Sequence, residues 1–198
     1  MKRSSVLLTT AYLPALPYLR EVIRADELIL EGQEHFVKQT YRNRCEILTA
    51  NGTLSLSVPL GKQGDKEVTS LKRISYAENW QQQHWRTITS AYKSAPYFEF
   101  FEDDLRPFYE QRFEFLMEYN TALLKAILHI LRVKKDIRFT EHYEQNPLHV
   151  RDLRDLSLVK DIEKITPHYQ VFSIGSDFVP GLSCLDAIFN IGLEARMI

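Results

Sequence analysis

The feature that most constrains this chain is a strand–helix–strand pattern near its start. Val6 to Thr10 is a short β-like run, broken by Leu13-Pro14-Ala15-Leu16-Pro17. Pro17 suits the first turn of a helix, where its missing N–H would have no helical partner anyway. Tyr18, Leu19, Val22, Ile23 and Ala25 then make a helical apolar stripe. Asp26 ends it, and Glu27-Leu28-Ile29-Leu30-Glu31 reads as a second strand. Two neighbouring strands joined by a helical crossover run parallel, which predicts the α/β class. The expected architecture is one α/β domain over residues 1–198. Its small mixed sheet begins with this βαβ unit, is extended by a hairpin and is covered by helices.

The hairpin is read from Cys45-Glu46-Ile47-Leu48 and Leu54-Ser55-Leu56-Ser57-Val58, with Asn51-Gly52 as the turn signal between them. Gly61 to Glu67 is expected to be a mobile polar loop and Val68 to Ser75 a returning strand. Trp80, His84, Ile88 and Tyr92 recur every four residues and predict a helix over 78–93. The stretch from Phe98 to Arg132 is mostly helical, Asp136 to Thr140 is a late strand, and 141–165 holds a short helix. Val171-Phe172 is read as a last strand and Ser183 to Ala195 as a final helix. Ser183 is its N-cap and Gly192 its stop.

Composition narrows the function classes. The chain has 25 Lys+Arg against 26 Asp+Glu, a net charge of −1, so non-specific nucleic-acid binding is not expected. No apolar run reaches the 18 or so residues of a membrane span. Val6-Leu7-Leu8 is too short for a signal-peptide core. With two cysteines, Cys45 and Cys184, no framework of several bridges exists. The expectation is a reduced, soluble, cytoplasmic protein. The seven glycines form neither GxGxxG nor a P-loop, and CxxC, HExxH and GxSxG are absent. The six histidines show no pair at helical ligand spacing, so no metal site is expected from local ligands. Asp103-Asp104 diverge by about 100° on a helix and suit joint ligation poorly.

Three polar clusters remain. In Glu34 to Arg44, three cations and an Asn crowd together; if extended, Lys38, Thr40, Arg42 and Arg44 share a face that could hold phosphate. The structural alternative is a charged strand edge. His84 is either a packed core residue or an acid–base group at a cleft edge. Asp186 and Asn190, four residues apart on an otherwise apolar helix, need partners if buried. They either bind a ligand or tie the helix to the 38–44 segment.

Taken together and in order, these pieces resemble the WbqC-like family. Tyr12-Leu13-Pro14 with Tyr18 looks like its N-terminal YxPxxxY segment. Lys38-Gln39-Thr40-Tyr41-Arg42-Asn43-Arg44 looks like its Lys-x-x-aromatic-x-Asn-Arg motif. Trp80 to His84 looks like its W-x-x-x-H helix, and Leu182 to Gly192 like its closing LSxxDxxFNxG motif. Many members carry His-Gln before the Pro-Tyr segment, where this chain has Thr9-Thr10-Ala11. The resemblance implies a bacterial cytoplasmic protein linked to surface-polysaccharide (O-antigen) biosynthesis. The leading expectation is a transferase acting on a nucleotide-activated or otherwise phosphorylated sugar. Lys38, Arg42 and Arg44 would hold the diphosphate, with Asn43 and Asn190 orienting polar groups. His84 would serve as acid or base, Asp186 would position a cation or hydroxyl, and Tyr12 would line the pocket. On this reading Arg42→Ala abolishes ligand binding and barely moves the melting temperature. The alternative is a non-catalytic binding or assembly protein of the same pathway, with Tyr97, Phe98, Phe100 and Phe101 as its exposed aromatic surface. The residues name no cofactor and no oligomeric state.

Overall fold

The computed structural model describes residues 4–62, 67–155, 165–173 and 177–197. Strand β1 (Ser5–Thr9) and strand β2 (Glu27–Glu31) flank helix α1 (Leu16–Arg24), which carries Pro in its first turn. The two strands pair in parallel, from Ser5 opposite Glu27 to Thr9 opposite Glu31. Strand β5 (Asp136–Phe139) joins β2, and the two-residue β6 (Arg151–Asp152) joins β1, both in parallel. The order across the sheet is β5-β2-β1-β6. The α/β expectation is met.

The alternation of side chains divides this sheet into unlike faces. Val6, Leu8, Leu28 and Leu30 are buried on one face against the main core. The other face carries Ser5, Leu7, Ile29 and Glu31, with Glu27 bonded to Ser5 at 2.8 Å and to Arg138 at 2.9 Å. Most parallel sheets are apolar on both faces; this one is polar on its second. Glu31, buried under segment 141–150, accepts from Arg154 at 3.0 Å and from Thr140 at 2.7 Å.

Strands β3 (Arg44–Thr49) and β4 (Gly52–Ser57) form the expected hairpin as a separate two-stranded sheet. Gly52 sits at φ 97°, beyond the reach of most side chains, which is how the turn closes in two residues. Helices α2 (Trp80–Tyr92), α3 (Phe98–Leu105) and α4 (Leu116–Ile130) follow the apolar periodicity. Helix α5 (Cys184–Ile191) is buried from Cys184 to Asn190. Ser183 caps it by accepting from Leu185 N, and Gly192 stops it at φ 60° with the Tyr97 ring against its Cα. No helix among the described residues is long and apolar enough to cross a membrane. Cys45 and Cys184 are buried free thiols.

Several expectations change. Segment 38–44 is not an extended strand: residues 38–43 form turns, with Gln39 at φ 60°, so its cations do not share one face. Val68 to Ser75 is not a strand either. It makes a short 3-10 turn at Thr69–Leu71 and isolated bridges to His35, Leu60 and Phe115, because its partners lie on three different segments. Val171-Phe172 is a turn, and the described residues 141–155 hold the short strand β6 and no helix. Phe98 is buried between Trp85 and Phe189 and so does not belong to an exposed surface, whereas Phe100 is 73% exposed. Part of the loop read as mobile (63–66), and 156–164 of the helix expected within 141–165, lie outside the described residues.

Candidate functional site

The segments singled out in the sequence meet at the loop that leaves β1. Its residue Leu13 is buried at φ 43°, an uncommon backbone conformation for a branched side chain, held only where the surroundings over-determine it. Tyr12 N donates to Tyr41 O at 3.0 Å, which brings in the 38–44 turn. Cys184 N donates to Pro14 O at 2.7 Å, and Ala15 bridges Ser183, which docks the N-terminus of α5. Asn120 of α4 donates to Thr10 Oγ1 at 3.1 Å and to Arg42 O at 2.8 Å. This loop stands at the carboxyl end of β1, where the sheet order switches: β2 lies on one side of β1, and β6, arriving from far along the chain, lies on the other.

Arg42 is buried, and its guanidinium meets Glu34 twice, through Nε at 2.9 Å and Nη2 at 2.8 Å. Thr9 Oγ1 donates to the same Glu34 oxygen. Asn43 is also buried, extending the hairpin through Val58, with Nδ2 on Val58 O at 3.0 Å. Lys38 is exposed and Arg44 half-buried. Only these two of the four cationic or amide candidates present substantial surface, so a phosphate would meet Lys38 and Arg44 first. Arg42 would have to exchange its bond to Glu34.

Tyr12 is fully buried, and burial raises its hydroxyl well above the ordinary phenol value, so it stays protonated. Its hydroxyl lies 2.9 Å from His84 Nδ1 and 3.1 Å from the Tyr109 hydroxyl. One hydrogen bond thus links the phenol to the imidazole, and the Ser57 backbone lies beside the same ring. Burial lowers His84 to about 4. The imidazole is therefore neutral at pH 7, with Nδ1 hydrogen-bonded inside the protein. The linkage has a definite sign. The unfolded chain takes up the proton near 6.5 and the folded one only near 4, so this contribution is complete above pH 6.5 and lost as pH falls toward 4. Its upper bound is about 3 kcal/mol. The melting temperature is expected to fall more steeply between pH 6.5 and 4 in the wild type than in His84→Gln, measured by calorimetry; parallel profiles would remove His84 as a cause.

Asp186 stands in the first turn of α5, buried at 1% exposure. Its Oδ2 lies 2.9 Å from His168 Nε2 and accepts from Gln170 Nε2 at 2.8 Å. Asn190 Nδ2 donates to Asp186 O at 2.7 Å. The partners of this pair are thus residues 168 and 170, not the 38–44 turn. No local pattern in the sequence marks His168, because its partner lies eighteen residues away. The one usable signal was the requirement that a buried Asp186 be paired.

A cleft of about 260 Å³ lies on the polar face of the parallel sheet, floored by Leu7 and Ile29 and walled by Glu141, Glu144, His142 and His149. Its acidic wall does not suit phosphate. Among the described residues no group of three or more His, Cys, Asp or Glu could hold a metal ion.

Comparison with known proteins agrees with the motifs. A family profile described as "WbqC-like protein family" matches residues 10–165. A Mycobacterium tuberculosis protein named "Uncharacterized protein Rv1507c" is 23% identical over 223 aligned positions, covering 98% of this chain and 96% of its own length. No solved structure matches.

Proposed function

Because the chain belongs to the WbqC-like protein family, we propose that it is a group-transfer enzyme acting on a nucleotide-activated or otherwise phosphorylated sugar. Its place would be cytoplasmic, in bacterial surface-polysaccharide biosynthesis, the context the family resemblance implies. The observation that supports a ligand site is the strained loop at the switch point of the parallel sheet. Open α/β sheets bind their ligands outside the carboxyl ends of the strands at such points. Here one loop, with Leu13 at φ 43°, receives the 38–44 turn, α4 and α5 together. Lys38, Arg44 and, after release from Glu34, Arg42 are the diphosphate contacts in this reading. Asn43 and Asn190 orient polar groups, while Tyr12 and His84 form the wall behind them.

A thermal-shift screen against UDP-, GDP- and dTDP-hexoses, with and without Mg²⁺, tests the reading. A ligand at 100 times its Kd adds about 2.7 kcal/mol, which for a chain of this size is roughly 5–11 °C. The expected result is a shift with one nucleotide sugar that disappears in Lys38→Ala/Arg44→Ala. Absence of any shift across the panel would sink it. The second reading, a non-catalytic binding or assembly protein of the same pathway, is favoured by one observation: the Tyr97 and Phe100 rings lie together, 6.1 Å apart, on the exposed start of α3.

A further inference from the structure

We propose that His168 is the proton acceptor of the transfer step and that Asp186 is its positioning residue. The proposal rests on the group-transfer reading and adds the group that activates the acceptor. It begins with a carboxylate that is held from several directions. Asp186 Oδ2 accepts from Gln170 Nε2, and that amide is itself fixed by Val179, whose N–H donates to Gln170 Oε1 at 2.8 Å and whose carbonyl accepts from Nε2 at 3.0 Å. Asn190 Nδ2 reaches the other oxygen, Oδ1, at 3.4 Å. The Tyr92 hydroxyl lies beside the same carboxylate. An aspartate pinned in this way can hold a histidine in one orientation and one tautomer.

His168 is the group it holds. The Nε2–Oδ2 distance is 2.9 Å, and because a carboxylate only accepts, Nε2 carries the proton. The Phe178 ring meets the imidazole edge-on, with centroids 5.0 Å apart, which fixes its plane. The side chain is 5% exposed, and Nδ1 has no hydrogen-bond partner although it is buried. Asn190 Oδ1 is equally buried and equally without a partner. Three buried polar groups around one carboxylate, His168 Nδ1, Asn190 Oδ1 and the Tyr92 hydroxyl, lack a hydrogen-bond partner and together describe a place for an O–H group. Buried polar atoms are otherwise nearly always paired. Sugar hydroxyls are donors of this kind, and transfer to one requires that its proton leave.

In the step that follows, the acceptor hydroxyl gives its proton to His168 Nδ1. Its oxygen bonds to the anomeric carbon of the donor as the bond from that carbon to the nucleoside diphosphate breaks, the leaving group taking the electron pair. The imidazolium formed is stabilised by the Asp186 carboxylate, and His168 later returns the proton to solvent. Asn190 Oδ1 accepts from a neighbouring hydroxyl and orients the ring. His84, whose Nδ1 is already bonded to the Tyr12 hydroxyl, is left to support that side chain.

The test uses His168→Gln, whose amide N–H can still donate to Asp186 but which has no basic nitrogen. The expected result is an unchanged melting midpoint, unchanged nucleotide-sugar affinity, and release of nucleoside diphosphate (water serving as acceptor where none is supplied) slowed by at least about 100-fold. In the wild type, nitrogen-15 NMR at pH 7 should find His168 protonated at Nε2 and bare at Nδ1. Asp186→Asn should invert that tautomer, a signature that loss of packing alone would not produce. Turnover within threefold of wild type in His168→Gln, or a protonated Nδ1 in the wild type, would overturn the proposal. A wild type that binds no donor would instead remove the group-transfer reading, while the tautomer measurement judges His168 independently.

Discussion

Arg42→Ala is expected to cost the fold roughly 3–5 kcal/mol, the usual penalty for removing one partner of a buried ion pair. For a chain of this size that lowers the melting midpoint by about 6–20 °C. The reason lies in what the truncation leaves behind. Glu34 is only 13% exposed at its side chain, and a single oxygen, Oε1, receives Arg42 Nε, Arg42 Nη2 and Thr9 Oγ1. Without the guanidinium this carboxylate loses its main partner in a place that water barely reaches. The arginine also donates to Thr40 Oγ1 at 3.2 Å, a bond that helps hold the turn at 38–43. Read as an extended basic face, the segment predicted that this variant would lose ligand binding and little else; the ion pair reverses the order of effects. A paired variant, Arg42→Leu/Glu34→Leu, should recover much of the loss, because both members of the pair are then gone. Urea denaturation of the single and paired variants decides the matter. An Arg42→Ala midpoint equal to wild type would show that Glu34 finds solvent without it.

The second large effect is expected at Phe189, fully buried in α5. Its ring lies 5.3 Å from Tyr92 and 5.0 Å from Phe98, so it joins the last helix to α2 and α3. The Phe189 carbonyl also accepts from Tyr97 N at 2.9 Å, fixing the start of α3. Phe189→Ala removes the transfer energy of the ring and leaves a cavity between two helices that other contacts hold apart, for a cost of about 3–5 kcal/mol. In urea the midpoint should fall with no change in slope. Phe189→Leu should lose less, since it keeps most of the volume. The Phe of the closing motif is thus a packing residue, while the Asp and Asn that flank it in sequence face polar partners.

Much of the fold was legible in the chain because local signals and the fold agree. Apolar runs at 6–10 and 27–31 around a proline-started helix could bury their surface only as a βαβ unit. Asn51-Gly52 marked a hairpin whose turn does use the positive φ of Gly52. Ser183 and Gly192 do bound the last helix. What failed had no local signal. Strand β6 is the polar dipeptide Arg151-Asp152, a strand only because β1 offers it an edge. Residues 68–75 carry strand-like side chains, yet their backbone partners are divided among three segments. The site shows the same division. Tyr12 and His84 stand in separate motifs and meet at 2.9 Å, but nothing in the sequence sets Glu34, the partner of Arg42, apart from the other polar residues of its cluster. His168 carries no pattern at all, because the bond that orients it is tertiary.

The docking of α5 on Pro14 and Ala15 has a kinetic consequence. The contact joins stretches from nearly opposite ends of the chain, and closing a loop of that length costs roughly 4–5 kcal/mol of chain entropy before any packing offsets it. The βαβ unit and the hairpin, whose partners are neighbours in sequence, can form while the rest is still disordered. Long-range closures of this kind slow folding. During synthesis, the loop after β1 therefore waits, with its apolar surface open, until α5 has left the ribosome. Contacts absent from the folding transition state set how fast a protein comes apart. Strengthening the seam between residues 14–15 and 183–184 is accordingly expected to lengthen the lifetime of the folded state.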